Sequence, residues 1–248
     1  MRVGCHTLVF GAVSGRAALH EITSAGFDAA VVAQIRGQAE HATDLAPADS
    51  EGSGLIAVDA ATHEVGPGGV AIEHAARLGI ELALVAPGGL PGGRPRTRIL
   101  SDAAAARGVR LAVVPRAGSA IPDAEMALRF AQRVPNVALW PDTSHLARAG
   151  DDLAGAARAL APYSAGWFMR DHRGTGGGPG AFEDQVPGRG TLDLAGTIAA
   201  LADAGFEGPL VFHAVGHLPG GRARPEYPMA RVRALAREAR DYLSALSR

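Results

Sequence analysis

Lysine is missing from this sequence: all 24 basic residues among its 248 are arginine. With no side-chain amine, imine chemistry on a carbonyl or on pyridoxal phosphate has no nucleophile, and a phosphate-binding P-loop lacks its cation. Cysteine is nearly missing. Cys5 stands alone, which excludes an internal disulfide and any cysteine-built zinc site. No apolar run approaches the ~20 residues that span a bilayer. The 24 basic and 25 acidic residues leave a net charge of −1 and the arginines are scattered, so the footprint of a nucleic-acid binder is absent. The opening residues MRVGCHTLVF carry no signal-peptide pattern. The expectation is a cytoplasmic protein acting on a small molecule, with no nucleic-acid or membrane partner and a homodimer as an open option.

What is present is rhythm. Short apolar runs recur at 2–6 (RVGCH), 28–33 (DAAVVA), 55–60 (LIAVDA), 81–86 (ELALVA), 110–115 (RLAVVP), 137–141 (VALWP), 165–169 (AGWFM) and 209–213 (PLVFH). Each is nearly continuous rather than alternating, the pattern of a parallel strand covered on both faces. Segments of helical period lie between them. DAEMALRFAQRV starts on Asp123, DDLAGAARALAP stops at Pro162, and TLDLAGTIAALADAG reads as a helix capped by Thr191 and closed at Gly205. PMARVRALAREARDYLSAL is a long amphipathic helix, while residues 34–53 are polar and weakly patterned. Eight strand–helix repeats in ~250 residues predict an α/β fold, a single (β/α)8 barrel over residues 1–248.

Reactive side chains in such barrels sit at the C-terminal strand ends and in the loops that follow. His6, His63, His145, His172 and His213 occupy those positions, with His217 in the last loop; His20, His41 and His74 read as ordinary residues. The run "VALWPDTSHLARAG" (137–150) delivers Asp142 and His145 directly after an apolar strand. Asp171 reads as a holder of the loop after the seventh strand, and Cys5 as facing the helices. Glycine-rich runs after the fourth and seventh strands, "VAPGGLPGGRPR" and "RGTGGGPGAFEDQVPGRG", suit mouth flaps better than a phosphate cradle.

Three segments carry a family resemblance: "PDTSH", "WFMRDHRG" and "VPGRGTLDLAGTIAALADAGFEGPLVFH". They resemble the sugar phosphate isomerase/epimerase superfamily of xylose isomerase-like TIM barrels. The resemblance implies a divalent metal held by Glu, Asp, His and Glu from strands five to eight. Of these, the Asp is present as Asp142. The first Glu falls near Val114, the His at Phe168 and the second Glu at His213, so most of the implied ligands are missing. The expectation is a barrel of changed chemistry: a metal-independent, cofactor-free isomerase, epimerase or related lyase or cyclase that moves protons on a small oxygenated carbonyl substrate. Its catalytic residues would be His213, Asp142, His145 and His6, and its substrate-binding residues His63, Arg116, His172 and Arg173. One alternative is a rewired zinc or manganese site of His63, Asp142, His145 and His213. A second is a non-catalytic small-molecule-binding barrel.

Overall fold

The computed structural model describes residues 1–35, 39–60, 68–87, 93–134, 136–173, 181–215 and 227–247. Each apolar run forms one strand: β1 Val3–His6, β2 Ala29–Ala33, β3 Leu55–Asp59, β4 Leu82–Val85, β5 Arg110–Val113, β6 Val137–Leu139, β7 Trp167–Met169 and β8 Leu210–Phe212. Neighbours pair in parallel in the order β6-β5-β4-β3-β2-β1-β8-β7. The ring closes between β6 and β7, where Ala165 N–H donates to Leu139 O at 2.9 Å and Phe168 N–H to Pro141 O at 2.8 Å. Helices among the described residues follow the strands: α1 Gly15–Ser24, α2 Pro47–Ser50, α3 Gly68–Leu78, α4 Gly93–Ala105, α5 Ala124–Arg133, α6 Thr143–Ala149, α7 Leu153–Leu160, α8 Leu194–Asp203 and α9 Met229–Leu246. None of them is long and apolar enough to cross a membrane.

The continuous strand runs have a simple packing origin. Odd and even positions alternate between two apolar environments. Val32, Val58, Val85, Val113, Leu139, Met169 and Phe212 join the large cluster under the helices, and Cys5 lies there too. Val31, Ala57, Leu84, Ala112, Val114, Ala138, Trp140, Phe168 and Val211 form a separate cluster inside the barrel. Trp140 reaches across to the start of β7, where a Cβ on Gly166 would collide with its indole ring. The interior is therefore plugged by hydrocarbon, and function belongs above the plug.

Caps mark most helix starts as the sequence suggests. Asp123 accepts from Met126 N–H at 2.8 Å, and Asp152 from Gly155 N–H at 3.0 Å. One local expectation is corrected. The cap of α8 is Asp193, which accepts from Gly196 N–H at 2.8 Å. Thr191 is instead drawn to His172 O, to which its hydroxyl donates at 3.2 Å. The polar stretch 34–53 yields a 3₁₀ turn at His41–Asp44 and the single turn of α2.

Candidate active site

Counting two residues onward from the plug gives the next inward-facing position on each strand. After Gly4 comes His6, after Ala57 Asp59, after Val114 Arg116, after Trp140 Asp142, after Phe168 Arg170, and after Val211 His213. Six strands thus place ionisable side chains above one apolar floor, and their contacts confirm that they converge. The His6 and His213 rings lie 4.7 Å apart between centroids, and His213 packs on Phe168 at 4.6 Å.

Asp142 organises this ring. It caps α6, with Oδ1 accepting His145 N–H at 3.2 Å, while Oδ2 lies 3.4 Å from His213 Nδ1 and 3.1 Å from Arg170 Nη2. Burial alone would raise its carboxyl, but the Arg170 guanidinium, with His145 and His213, holds it well below the usual carboxylate range. The carboxylate is therefore an acceptor only, and His213 Nδ1 must carry the proton between them. Burial pushes the His213 imidazole down to about 4, with His6 and Arg170 pushing the same way and Asp142 opposing them. A neutral ring with its proton on Nδ1 has a bare Nε2. That atom is buried and without a hydrogen-bond partner among the described residues.

His6 has the opposite tautomer. Its Nδ1 accepts Leu8 N–H at 3.1 Å, so Nε2 holds the proton and donates to Asp59 Oδ2 at 3.0 Å. Both ring nitrogens are committed, so His6 is a fixed wall beside His213 with no lone pair to spare. His145 sits on the first turn of α6. Burial pushes its imidazole down to about 2, with Arg170, Arg116 and Arg148 adding to the shift, and its Nδ1 has no partner among the described residues.

Two residues of the ring escape a search for histidines. Asp59 and Arg170 are buried strand-tip residues with a simple signal, namely their parity with Ala57 and Phe168. Arg170 is 3% exposed, and its backbone is gripped by Thr143, whose hydroxyl donates to Arg170 O at 2.7 Å and accepts from Arg170 N–H at 3.0 Å. Gln185 ties down the neighbouring strand ends. Its carbonyl accepts Asp171 N–H at 3.1 Å, and its side-chain amide exchanges hydrogen bonds of 2.6 and 2.8 Å with the backbone of Val215.

The remaining expected residues distribute unevenly. Arg116 lies close enough to Asp59, Arg170 and Asp142 to feel their charges. His172 is buried at the rim, with burial lowering its imidazole and Arg170 adding to that. Arg173 does not join the cluster: its side chain is 64% exposed, 3.5 Å from Asp184, and its guanidinium donates to Arg189 O at 2.6 Å. One residue past His172, the chain has left the barrel axis. Asp171 serves the loop, accepting from His172, Leu192 and Gly188 N–H at 2.9, 3.0 and 3.1 Å. His63 and His217 lie outside the described residues, as do parts of both glycine-rich runs. Of the histidines read as ordinary, His20 is exposed and His74 partly so, but His41 is buried at 3% exposure.

Residues 69–237 match the family described as xylose isomerase-like TIM barrel, and the chain belongs to that family. Solved structures repeat the fold over the whole chain. D-psicose 3-epimerase from Clostridium cellulolyticum H10 has a TM-score of 0.77 at 17% identity, covering 100% of this chain and 99% of its own. The IOLI protein, solved with a bound zinc atom, has a TM-score of 0.78 at 18% identity, covering 100% and 98%. The probable 3-DHS dehydratase AsbF of Bacillus anthracis has a TM-score of 0.77 at 12% identity, covering 98% and 99%. A search of curated protein sequences finds no match.

The divalent ion that this resemblance implies does not fit the described residues. Val114 and Phe168 occupy two ligand positions with hydrocarbon. Asp142 has both oxygens engaged, and a guanidinium stands at 3.1 Å where a metal would need to approach. Among the described residues no group of three His, Cys, Asp or Glu side chains is arranged to hold a metal. A hard cation beside Arg170 would meet repulsion and too few oxygens.

Proposed function

We propose that this barrel is an enzyme that moves a proton next to a carbonyl group, as an isomerase, an epimerase or a related lyase or cyclase, without a metal ion. The observation that carries the reading is the Asp142–His213 pair, with a charged carboxylate on Nδ1 and a bare, buried Nε2. That arrangement is an oriented acid/base, the device a proton transfer needs. Fixing its tautomer and position contributes before any chemistry begins.

The step follows from the residues. His213 Nε2 takes a proton from the carbon beside a carbonyl, and the released C–H electron pair moves into the C=O to give an enolate. Arg170 faces the developing oxyanion, and the imidazolium formed is paired with Asp142. Return of the proton to the former carbonyl carbon, while the hydroxyl proton of the first carbon passes to the enolate oxygen, gives an isomer; delivery of a solvent proton to the opposite face of the first carbon, with His213 then releasing its own to solvent, gives an epimer. Departure of a β-hydroxyl with that proton gives a dehydrated product. Phe168, Trp140 and His6 pack as an aromatic floor and wall beside His213. Epimerases and a dehydratase among the structures that share the fold support this range of outcomes.

The test is hydrogen–deuterium exchange. Chelator-dialysed protein is incubated in D2O with a panel of sugars and of hydroxy and keto acids, and carbon-bound protons are followed by NMR. Exchange that survives dialysis and vanishes in His213→Gln is expected. Exchange that requires added zinc or manganese, or none across the panel, rejects the reading in favour of a metal site or a binding barrel.

A further inference from the structure

Arg170 is poorly served for a buried guanidinium. Among the described residues its one close carboxylate is Asp142, at 3.1 Å and without hydrogen-bond alignment, and its Nε finds no partner. A guanidinium has five N–H donors, and Asp142 is already shared with His213 and with the backbone of His145. A buried donor left unpaired costs about 1–3 kcal/mol, so a partner from outside the chain is the simplest way to satisfy it. The partner must accept hydrogen bonds. The charge around it favours an anion: Arg170, Arg116 and Arg148 act on His145 against Asp142, and the second buried carboxylate of the ring, Asp59, is engaged by His6. Arg116 is pushed down by burial and by Arg170, with Asp59 and Asp142 opposing, as expected for two cations sharing one enclosure.

The anion's shape is also constrained. A planar fork of donors matches a flat carboxylate. The floor beneath it is made of the rings of Phe168 and Trp140, 5.6 Å apart. A phosphate, which a guanidinium also grips with two parallel bonds, carries a further oxygen that calls for more donors, such as the amides of a helix start. At the nearest helix start, that of α6, the His145 amide is already taken by Asp142.

We infer that the barrel mouth binds a carboxylate, with Arg170 holding the acid group of a small keto or hydroxy acid so that the proton-bearing carbon beside its carbonyl faces His213 Nε2. The inference rests on the proton-transfer reading for the role of that carbon, but the binding claim is measured without turnover. Arg170 is the residue that selects acids over neutral sugars.

Isothermal titration calorimetry with pyruvate, inorganic phosphate and dihydroxyacetone, at one ionic strength, tests it. Pyruvate is expected to bind saturably with one site per chain, and Arg170→Met to weaken it about 10- to 100-fold, the range for losing charged hydrogen bonds. Arg173→Ala should bind pyruvate as wild type does. Because Arg170→Met loses a buried charge and can fail to fold, the unmutated protein gives a second readout: pyruvate should shift the NMR signals of the His213 ring. No saturable pyruvate binding, equal binding of phosphate or dihydroxyacetone, or an unmoved His213 signal overturns the inference. Pyruvate binding with no proton exchange on any substrate supports this inference while rejecting the proton-transfer reading. Exchange on neutral sugars without pyruvate binding does the reverse.

Discussion

Replacing Asp142 by asparagine removes one negative charge and, with the cap oxygen kept, turns the oxygen that faces His213 and Arg170 into an amide donor. Asparagine is as good a helix cap as aspartate, so the bond from His145 N–H at 3.2 Å has a natural substitute. What disappears is the counter-charge of Arg170, whose guanidinium is 3.1 Å away in a pair where both side chains are at most 3% exposed. Breaking a buried pair by neutralising one partner typically costs about 3–5 kcal/mol, because the other charge stays desolvated. For a chain of this size, with a shift of about 2–4 °C per kcal/mol, the midpoint of thermal unfolding should fall by roughly 6–20 °C. Asp142→Ala should lose about 1 kcal/mol more, for the cap. Urea denaturation of the two variants and of the double variant Asp142→Asn/Arg170→Met separates these contributions. The double variant should recover part of the loss, since it no longer buries a lone cation. If Asp142→Asn unfolds within 0.5 kcal/mol of wild type, the pair is not the electrostatic keystone described above; that threshold is about the size of an ordinary surface effect.

Three further outcomes follow from the same contacts. The His213 imidazole lies at about 4 in the folded chain against its ordinary 6.5, so between those values the unfolded chain binds the extra proton. Stability should therefore fall by about 3 kcal/mol as pH drops from 6.5 to 4, and urea midpoints across that range read it; a flat profile refutes the burial argument. Gly166→Ala places a methyl against the Trp140 ring and should cost about 1–3 kcal/mol, measured by denaturation. Arg173→Ala removes only exposed contacts to Asp184 and the Arg189 carbonyl, and should leave stability within about 0.5 kcal/mol.

The fold was legible because strands buried on both faces leave an unmistakable mark. All eight apolar runs became strands, since each had to satisfy the plug on one side and the helices on the other. Site residues were legible where a strand ended on an unusual side chain: His6, Asp142 and His213 are the last polar groups before the backbone turns away. Arg170 and Asp59 were harder, since an arginine before Asp171-His172-Arg173 looks like one of several charges and an aspartate at a strand end looks like a turn residue. Period-two counting from Phe168 and Ala57 would have found both, because side chains two apart share a face. Arg173 was misleading for the opposite reason: it is three residues past Arg170, after the chain has bent into the loop that Asp171 organises. The cap of α8 turned on a similar ambiguity, with Thr191 and Asp193 both competent and the threonine drawn away by the His172 carbonyl.

The central claim is that His213 carries its proton on Nδ1, against a charged Asp142, and keeps Nε2 bare. Nitrogen-15 NMR of the histidine rings at neutral pH measures this directly. His213 is expected to be neutral with an unprotonated Nε2 and to titrate near 4, and His6 to hold the opposite tautomer. A His213 ring protonated on Nε2, or one that titrates at its ordinary 6.5, would contradict it.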